Sequence, residues 1–536
     1  MSPSSFFRRP SALALSLLAV LPAAAQEADT TPGDWFQQSP AATGQFPGAS
    51  VDAAYARLAG RAPARRVVVA VIDGGVDVRH PALQGRLWTN AREIAGNGID
   101  DDRNGYADDI HGWNFLGGPD GRSVGAETYE VTRVYARLRG TYEGKRESEV
   151  PEADRAEFRT FLTARQRYME GRQEAMQQWP VVEQLYQRTS AAMAKIRTAL
   201  GLAADATVTD ADLARLPAVP ELQAARQAVG QLAMYGLTFG DLTEYYEQLK
   251  GQVEVGYNAD ANERAIVGDD PADLTNRSYG NADVIGPDAM HGTHVAGIIA
   301  GGRSGFAQRG IAEAVEIMAI RAVPNGDERD KDVANAIRYA VDNGANIVNM
   351  SFGKSMSPEK SYVDEAVRYA ASKNVLVVHA AGNDGEDIDT ADNFPRARFL
   401  DGQVAPTWIE VGASNWEAGR TLAADFSNYG ATTVDVFAPG VDIGSTLPEG
   451  RFGELDGTSM AAPVVSGVAA LVWAYYPTLS AQELRGVILE SSRRFATLRV
   501  TRPGGQTAVS WPSLSVTGGL LDADAALALA ATRVAR

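Results

Sequence analysis

The sequence predicts an α/β protein, a doubly wound and mostly parallel sheet interrupted by an inserted bundle of α-helices. Three observations carry this. Apolar, β-branched runs recur at residues 67–72, 315–323, 345–351 and 375–381, as expected of strands buried on both faces of a parallel sheet. Helical patterns follow or separate the later runs, at 331–343, 481–491 and 522–533, as crossover connections require. Between the first run and the others, residues 117–257 abandon this alternation for long three-to-four spacing.

The chain has 536 residues, enough for several domains or for one large α/β core with an insertion. Its organisation reads as 1–25, 26–65, a split domain of 66–116 and 258–536, and the insertion at 117–257. In the first segment Arg8 and Arg9 precede an apolar stretch at 12–21, and Ala23-Ala24-Ala25 stands ahead of Gln26. This is the pattern of a secretory signal peptide, with an apolar stretch too short to span a membrane. A secreted or periplasmic protein with no span in its mature chain is expected. Residues 26–65 are polar and irregular, an N-terminal arm too short for a folded inhibitory prodomain. There is no cysteine, so stability outside the cytoplasm rests on packing and ions. The net charge of −17 argues against nonspecific nucleic-acid binding, which needs a basic surface.

The run at 67–72 ends in Asp73-Gly74-Gly75. Functional residues of open α/β sheets collect at the carboxyl ends of strands, which suits Asp73 for chemistry, although an Asp before glycines is equally a turn former. Further on, Asp100, Asp102 and Asn104 alternate ahead of Gly105, with Asp108 beyond. Hard oxygen donors alternating before a glycine bend match the first half of a calcium loop, so these four residues are candidate ligands for a structural Ca2+. His111 stands where an EF-hand has glutamate, which excludes that motif.

In the insertion, Phe158, Leu162 and Met169 fit one helical face. After Pro180, a long amphipathic helix is predicted from Val182, Leu185, Thr189, Met193, Ile196 and Leu200. Thr209 with Asp212 resembles a capping box, and two further helical stretches run through Leu222, Ala225, Val229 and Leu232, then Leu242, Tyr245 and Leu249. Such helices pack as an antiparallel bundle. Spliced between Asp73 and the next chemically rich segment, the bundle is either a structural addition or a lid or docking surface.

That segment is His291-Gly292-Thr293-His294, opening a helix of small residues. His291 sits at the helix start, within reach of neighbouring loops, whereas His294 lies one turn further in and suits a buried structural role. A zinc site is not indicated, since Gly292 replaces the glutamate that such a motif needs. The strand at 375–381 ends in Gly382-Asn383, where a side-chain amide could serve a turn or donate to an oxyanion. Ser459 lies in Gly457-Thr458-Ser459-Met460-Ala461-Ala462-Pro463, ahead of Val465, Val468, Ala469 and Val472 at helical spacing. A hydroxyl in the first turn of a buried helix faces unpaired backbone N–H groups that stabilise developing negative charge.

Each of these residues alone also suits a turn or a cap. Together they form one machine: His291 takes the proton of Ser459, Asp73 holds the imidazole, and the Ser459 N–H with the Asn383 amide receives the oxyanion. At this point the chain resembles the subtilisin-like serine peptidases, or subtilases. The resemblance rests on Val71-Ile72-Asp73-Gly74-Gly75, His291-Gly292-Thr293-His294-Val295-Ala296-Gly297, Ala380-Ala381-Gly382-Asn383 and the Ser459 motif, in the order Asp, His, Ser. It implies a subtilisin-like three-layer sandwich and a secreted serine endopeptidase with Asp73, His291 and Ser459 as its triad and Asn383 as oxyanion donor. It also implies that Ser351, Phe352 and Gly353 on one side, and Ala380, Ala381 and Gly382 on the other, form walls that pair with a peptide substrate. Phe352 and Asn393 would shape the first specificity pocket. No organic cofactor is implied. A narrow processing protease, or a protease-shaped binding protein acting through the insertion, are the alternatives.

Overall fold

The computed structural model describes residues 33–40, 47–204, 206, 208–234, 237–302 and 309–535. The signal-peptide pattern at 1–25 lies outside the described residues, as do 26–32 and 41–46 of the arm. The rest of the arm is not the irregular segment expected: it forms short helices at Trp35–Gln37 and Val51–Arg57, and Trp35, Phe36, Val51 and Ala54 are buried in the core of the sheet unit. The chain divides into two compact units, one running to Glu130 and resuming at Asn262, the other from Val131 to Ala261.

The first unit is built on a nine-stranded sheet. In chain order its main strands are β1 (Val67–Asp73), β2 (Gly112–Asn114), β3 (Val315–Arg321), β4 (Ile347–Met350), β5 (Leu376–Ala380), β6 (Trp408–Ser414) and β7 (Val436–Pro439). Across the sheet they run β7-β6-β5-β4-β1-β3-β2, all parallel, with short strands at Gly519–Leu520 and Arg493–Arg494 completing the β7 edge. Successive side chains of a strand point to opposite faces, which explains why β1 is apolar throughout. Val67, Val69 and Val71 enter a core with the helices Met290–Ala300 and Thr458–Tyr475. Ala70 and Ile72 enter a second core with Asp330–Asp342 and Lys360–Ser372 on the opposite face. The predicted three layers are therefore present, and β1 lies between β4 and β3, with β2 and β3 on one side and β4 to β7 on the other.

Residues 117–130 were expected in the insertion and instead belong to the sheet unit. The N–H of Val124 donates to Leu116, that of Glu127 to Asn325, and that of Glu130 to the Asp327 carboxylate. Partners two hundred residues away leave no periodic trace in the local sequence, which is why the boundary was misplaced.

The second unit is helical. Its longest element, Arg155–Leu200, is a single 46-residue helix that runs through Pro180, after which the long helix was expected to begin. Near the proline, Trp179 stacks on Tyr246 and the Tyr245 hydroxyl bonds to Gln178, so side-chain packing holds the helix where one backbone donor is missing. The buried stripe of its first half is Phe158, Phe161, Ala164 and Tyr168, while Leu162 and Met169 are exposed. The predicted face was rotated because both choices fit the period and only tertiary packing selects between them. Helices Pro220–Ala233 and Phe239–Gly251 lie antiparallel on the long helix: Arg188 meets Gln231 while Ile196 clusters with Ala225, and Gln178 meets Tyr245 while Tyr186 stacks on Phe239. The capping box of Thr209 and Asp212 forms as predicted.

Candidate active site

Asp73 is the last residue of β1 and is 2% exposed. Its carbonyl accepts from the N–H groups of Ala322 and Val323 as the chain leaves β3, and its Oδ1 accepts from the Gly74 N–H at 2.7 Å. Arg321, at the end of β3, is buried and donates from Nε to the Gly74 carbonyl at 2.7 Å, while its other nitrogens reach Asn114 and Val124. Burial lowers its pKa to about 10. This arginine braces the Asp73-Gly74 turn, and the sequence offered no signal for it beyond a cation ending an apolar run.

His291 is the second residue of its helix, and its Nδ1 lies 2.8 Å from Asp73 Oδ1 and 3.0 Å from Oδ2. The close approach requires Gly292: a Cβ there would stand 2.2 Å from the Gly75 carbonyl oxygen and 3.0 Å from Asp73 Cβ. Burial pushes the His291 pKa down, but the charge and hydrogen bond of Asp73, with Asp288 adding, outweigh it and hold the pKa above the ordinary imidazole value. His294 is buried one turn on, bonded through Nε2 to the Gly453 carbonyl, and burial pushes its pKa down to about 3. It has the structural role that its position predicted.

Ser459 is the second residue of the helix Thr458–Tyr475. It is tied reciprocally to the carboxyl end of β4: its hydroxyl donates to the Ser351 carbonyl at 3.0 Å, and the Ser351 hydroxyl donates to the Ser459 carbonyl at 3.0 Å. The expected bond from Ser459 to His291 is thus not the one made here, and the hydroxyl must turn from Ser351 to reach an imidazole. Asn383 follows β5 and accepts through Oδ1 from both the N–H and the hydroxyl of Thr458, at 2.9 and 2.8 Å. This directs its Nδ2 toward Gly457. A Cβ placed on Gly457 would lie 3.4 Å from Asn383 Nδ2 and 3.5 Å from the Ser459 nitrogen, so two N–H donors border one niche kept open by a glycine. Gly457 has φ of 152°, a conformation that other residues rarely adopt.

Of the residues expected as walls, Ser351 is bonded to Ser459, and 380–382 lead directly into Asn383. Asn393 joins them, donating to the Ala381 carbonyl at 2.9 Å while its Oδ1 would stand 2.7 Å from a Cβ on Gly353. Ala380 and Phe352 are buried, and Asn428 also donates to the Ala381 carbonyl.

The acidic loop differs in detail from its prediction. Among the described residues, carboxylate oxygens of Glu93, Asp100 and Asp102 lie within 4.8 Å of one another. Asp108 is outside this group: its carboxylate caps a turn, accepting from the N–H groups of Gly96, Asn97 and Gly98. Asn104 donates through its amide to Asp109 and through its backbone to Asp100 and Asp102. Glu93 was missed because it stands outside the alternating pattern.

A carboxylate-bound imidazole and a helix-start serine along one edge of a parallel sheet place the molecule among the subtilisin-like α/β proteins. The chain belongs to the subtilase family, whose profile matches residues 64–510. It is 39% identical over 231 residues to the thermophilic serine proteinase of Bacillus sp. (strain AK1), covering 42% of this chain and 48% of that protein. It is 37% identical over 200 residues to subtilisin E of Bacillus subtilis (strain 168), covering 37% of this chain and 49% of that protein. The matched region thus spans about half the length of these relatives. Among solved structures, a cold-adapted subtilisin-like serine proteinase shares 30% identity with a TM-score of 0.36, covering 45% of this chain and 77% of that one.

Proposed function

We propose that the chain is a secreted serine endopeptidase that works through an acyl-enzyme on Ser459. The observation that carries this reading is the niche at Gly457, bordered by the Ser459 N–H and the Asn383 amide, together with the Asp73-bound imidazole of His291. A peptide substrate adds as a strand between the walls Ser351-Phe352-Gly353 and Ala380-Ala381-Gly382, with Phe352 and Asn393 shaping its first pocket. The Ser459 hydroxyl turns from Ser351, its proton passes to His291 Nε2, and Oγ attacks the peptide carbonyl. The oxyanion is received at the niche, and His291 returns the proton to the leaving amine. Water repeats the sequence on the ester, freeing the acid product and Ser459. Asp73 keeps Nδ1–H in place and stabilises the imidazolium formed in each half.

Calcium fits the acidic loop. Glu93, Asp100 and Asp102 supply hard oxygen donors close enough to share one ion, and they would hold Ca2+ as a charge that relieves their mutual repulsion. Its contribution is structural. Export rests on the Arg8–Arg9 and Ala23-Ala24-Ala25 pattern, and N-terminal sequencing of the exported protein tests it through a new terminus at Gln26. Among the described residues the helix Thr458–Tyr475 is apolar and long enough to cross a membrane, and it is buried in the protein core.

The test of activity is hydrolysis of an unfolded protein and of internally quenched peptides by the purified chain and by Ser459→Ala. Cleavage at internal bonds by the wild type, absent from the variant, supports an endopeptidase. Equal cleavage by both refutes the assignment of Ser459.

A further inference from the structure

His379 is fully buried on β5, one residue before the wall Ala380-Ala381-Gly382. The parallel register sets it beside Glu410 of β6 on one side and beside Met350 of β4 on the other. Phe352 is two residues past Met350, the last residue of β4, and packs in the same core cluster. The side chains follow this placement. His379 Nδ1 lies 2.8 Å from Glu410 Oε1, and its Nε2 lies 2.8 Å from the Phe352 carbonyl oxygen. Trp408 donates from Nε1 to the other Glu410 oxygen at 2.7 Å.

Both ring nitrogens therefore face oxygens, and the proton count follows. A backbone carbonyl only accepts, so Nε2 carries a proton. The contact at Nδ1 needs a second proton, carried either by the imidazole or by Glu410. Charged groups near the pair continue outward in one line: the Glu410 N–H donates to Asp435, and Asp435 pairs with Arg485 at 2.6 Å.

We propose that the buried His379–Glu410 pair is a positioning element of the substrate groove, in which Glu410 fixes the imidazole so that its Nε2–H holds the Phe352 carbonyl and with it the wall 351–353. The pair touches one wall directly and sits on the strand that leads into the other, so its hydrogen bonds set how well the groove receives a substrate strand. This rests on the peptidase reading, in which residues 351–353 pair with substrate. His379 acts through Phe352 and takes no part in the chemical step.

The experiment measures kcat and KM of the wild type, Glu410→Gln and His379→Leu with a slowly acylated amide substrate, for which KM reports binding. In His379→Leu KM rises roughly 2- to 10-fold, the worth of one net hydrogen bond, while kcat stays level. In Glu410→Gln the amide donates to Nδ1 and leaves Nε2–H on the Phe352 carbonyl, so KM stays at the wild-type value. An unchanged KM in folded His379→Leu, or a KM in Glu410→Gln raised as far as in His379→Leu, overturns the proposal. Nitrogen-15 spectra of the five histidines in the full chain read the proton directly: Nε2 of His379 is protonated at neutral pH, and an unprotonated Nε2 overturns the proposal. A wild type that cleaves nothing would defeat the peptidase reading, while these spectra would still judge the proton assignment separately.

Discussion

The imidazole of His291 meets Asp73 edge-on, with Nδ1 within 3.0 Å of both carboxylate oxygens, across 218 residues of sequence. The bond fixes which nitrogen keeps its proton, and so leaves Nε2 as the basic one. The raised pKa of His291 sets the sign of a pH dependence. With the neutral imidazole as the proposed base, kcat/KM is expected to rise with pH through a midpoint above about 6.5, the ordinary histidine value. The stability contribution runs the other way: a pKa raised on folding stabilises below the unfolded value and is lost as pH rises through the folded one. Asp73→Asn moves the midpoint down and lowers kcat by about 10⁴-fold, the size seen when serine peptidases lose the orienting carboxylate. A pH–rate series on both proteins checks this.

Gly457→Ala puts a methyl group into the niche between Asn383 Nδ2 and the Ser459 N–H, at a φ that disfavours any side chain. The expected result is a fall in kcat on the order of 10²–10³-fold with KM little changed, a range that comes from removing one oxyanion donor in subtilisin, a relative. Asn383→Ala should fall in the same range. Steady-state kinetics on a small amide substrate measures both.

Gly292→Ala forces a Cβ to within 2.2 Å of the Gly75 carbonyl oxygen, a contact against backbone that no rotamer relieves. The histidine helix must move off β1, costing about 1–3 kcal/mol as overpacking does and lengthening the bond to Asp73. Urea denaturation should show the loss, and kcat should fall with it.

Calcium is expected to raise the melting temperature, with a stabilisation of about 2.7 kcal/mol when free Ca2+ is 100 times its dissociation constant. Glu93→Gln abolishes that response. Asp108→Asn lowers the baseline stability by weakening a turn cap and keeps the response. Scanning calorimetry with and without chelator separates the two carboxylates.

Much of this site was legible because its residues sit at the ends of elements. Asp73 ends an apolar run, His291 and Ser459 open apolar helices, and such junctions follow from local pattern. What escaped was set by distant partners. Glu93 joins Asp100 and Asp102 only through the fold of the loop, and Arg321 reaches the Gly74 carbonyl across the sheet. Strands β6 and β7 were also missed. β6 carries a buried glutamate, and its charge is satisfied by His379 and Trp408 on a neighbouring strand and its own, which a single run of residues cannot show. The choice of Leu162 over Phe161 as the buried face of the long helix failed for the same reason.

The most direct measurement treats the protein with a serine-directed fluorophosphonate and locates the adduct by mass spectrometry. The account predicts one adduct, on Ser459, formed faster as pH rises through the His291 titration and lost in Ser459→Ala and His291→Ala. An intact, folded wild type that stays unlabelled, or an adduct at another residue, would contradict it.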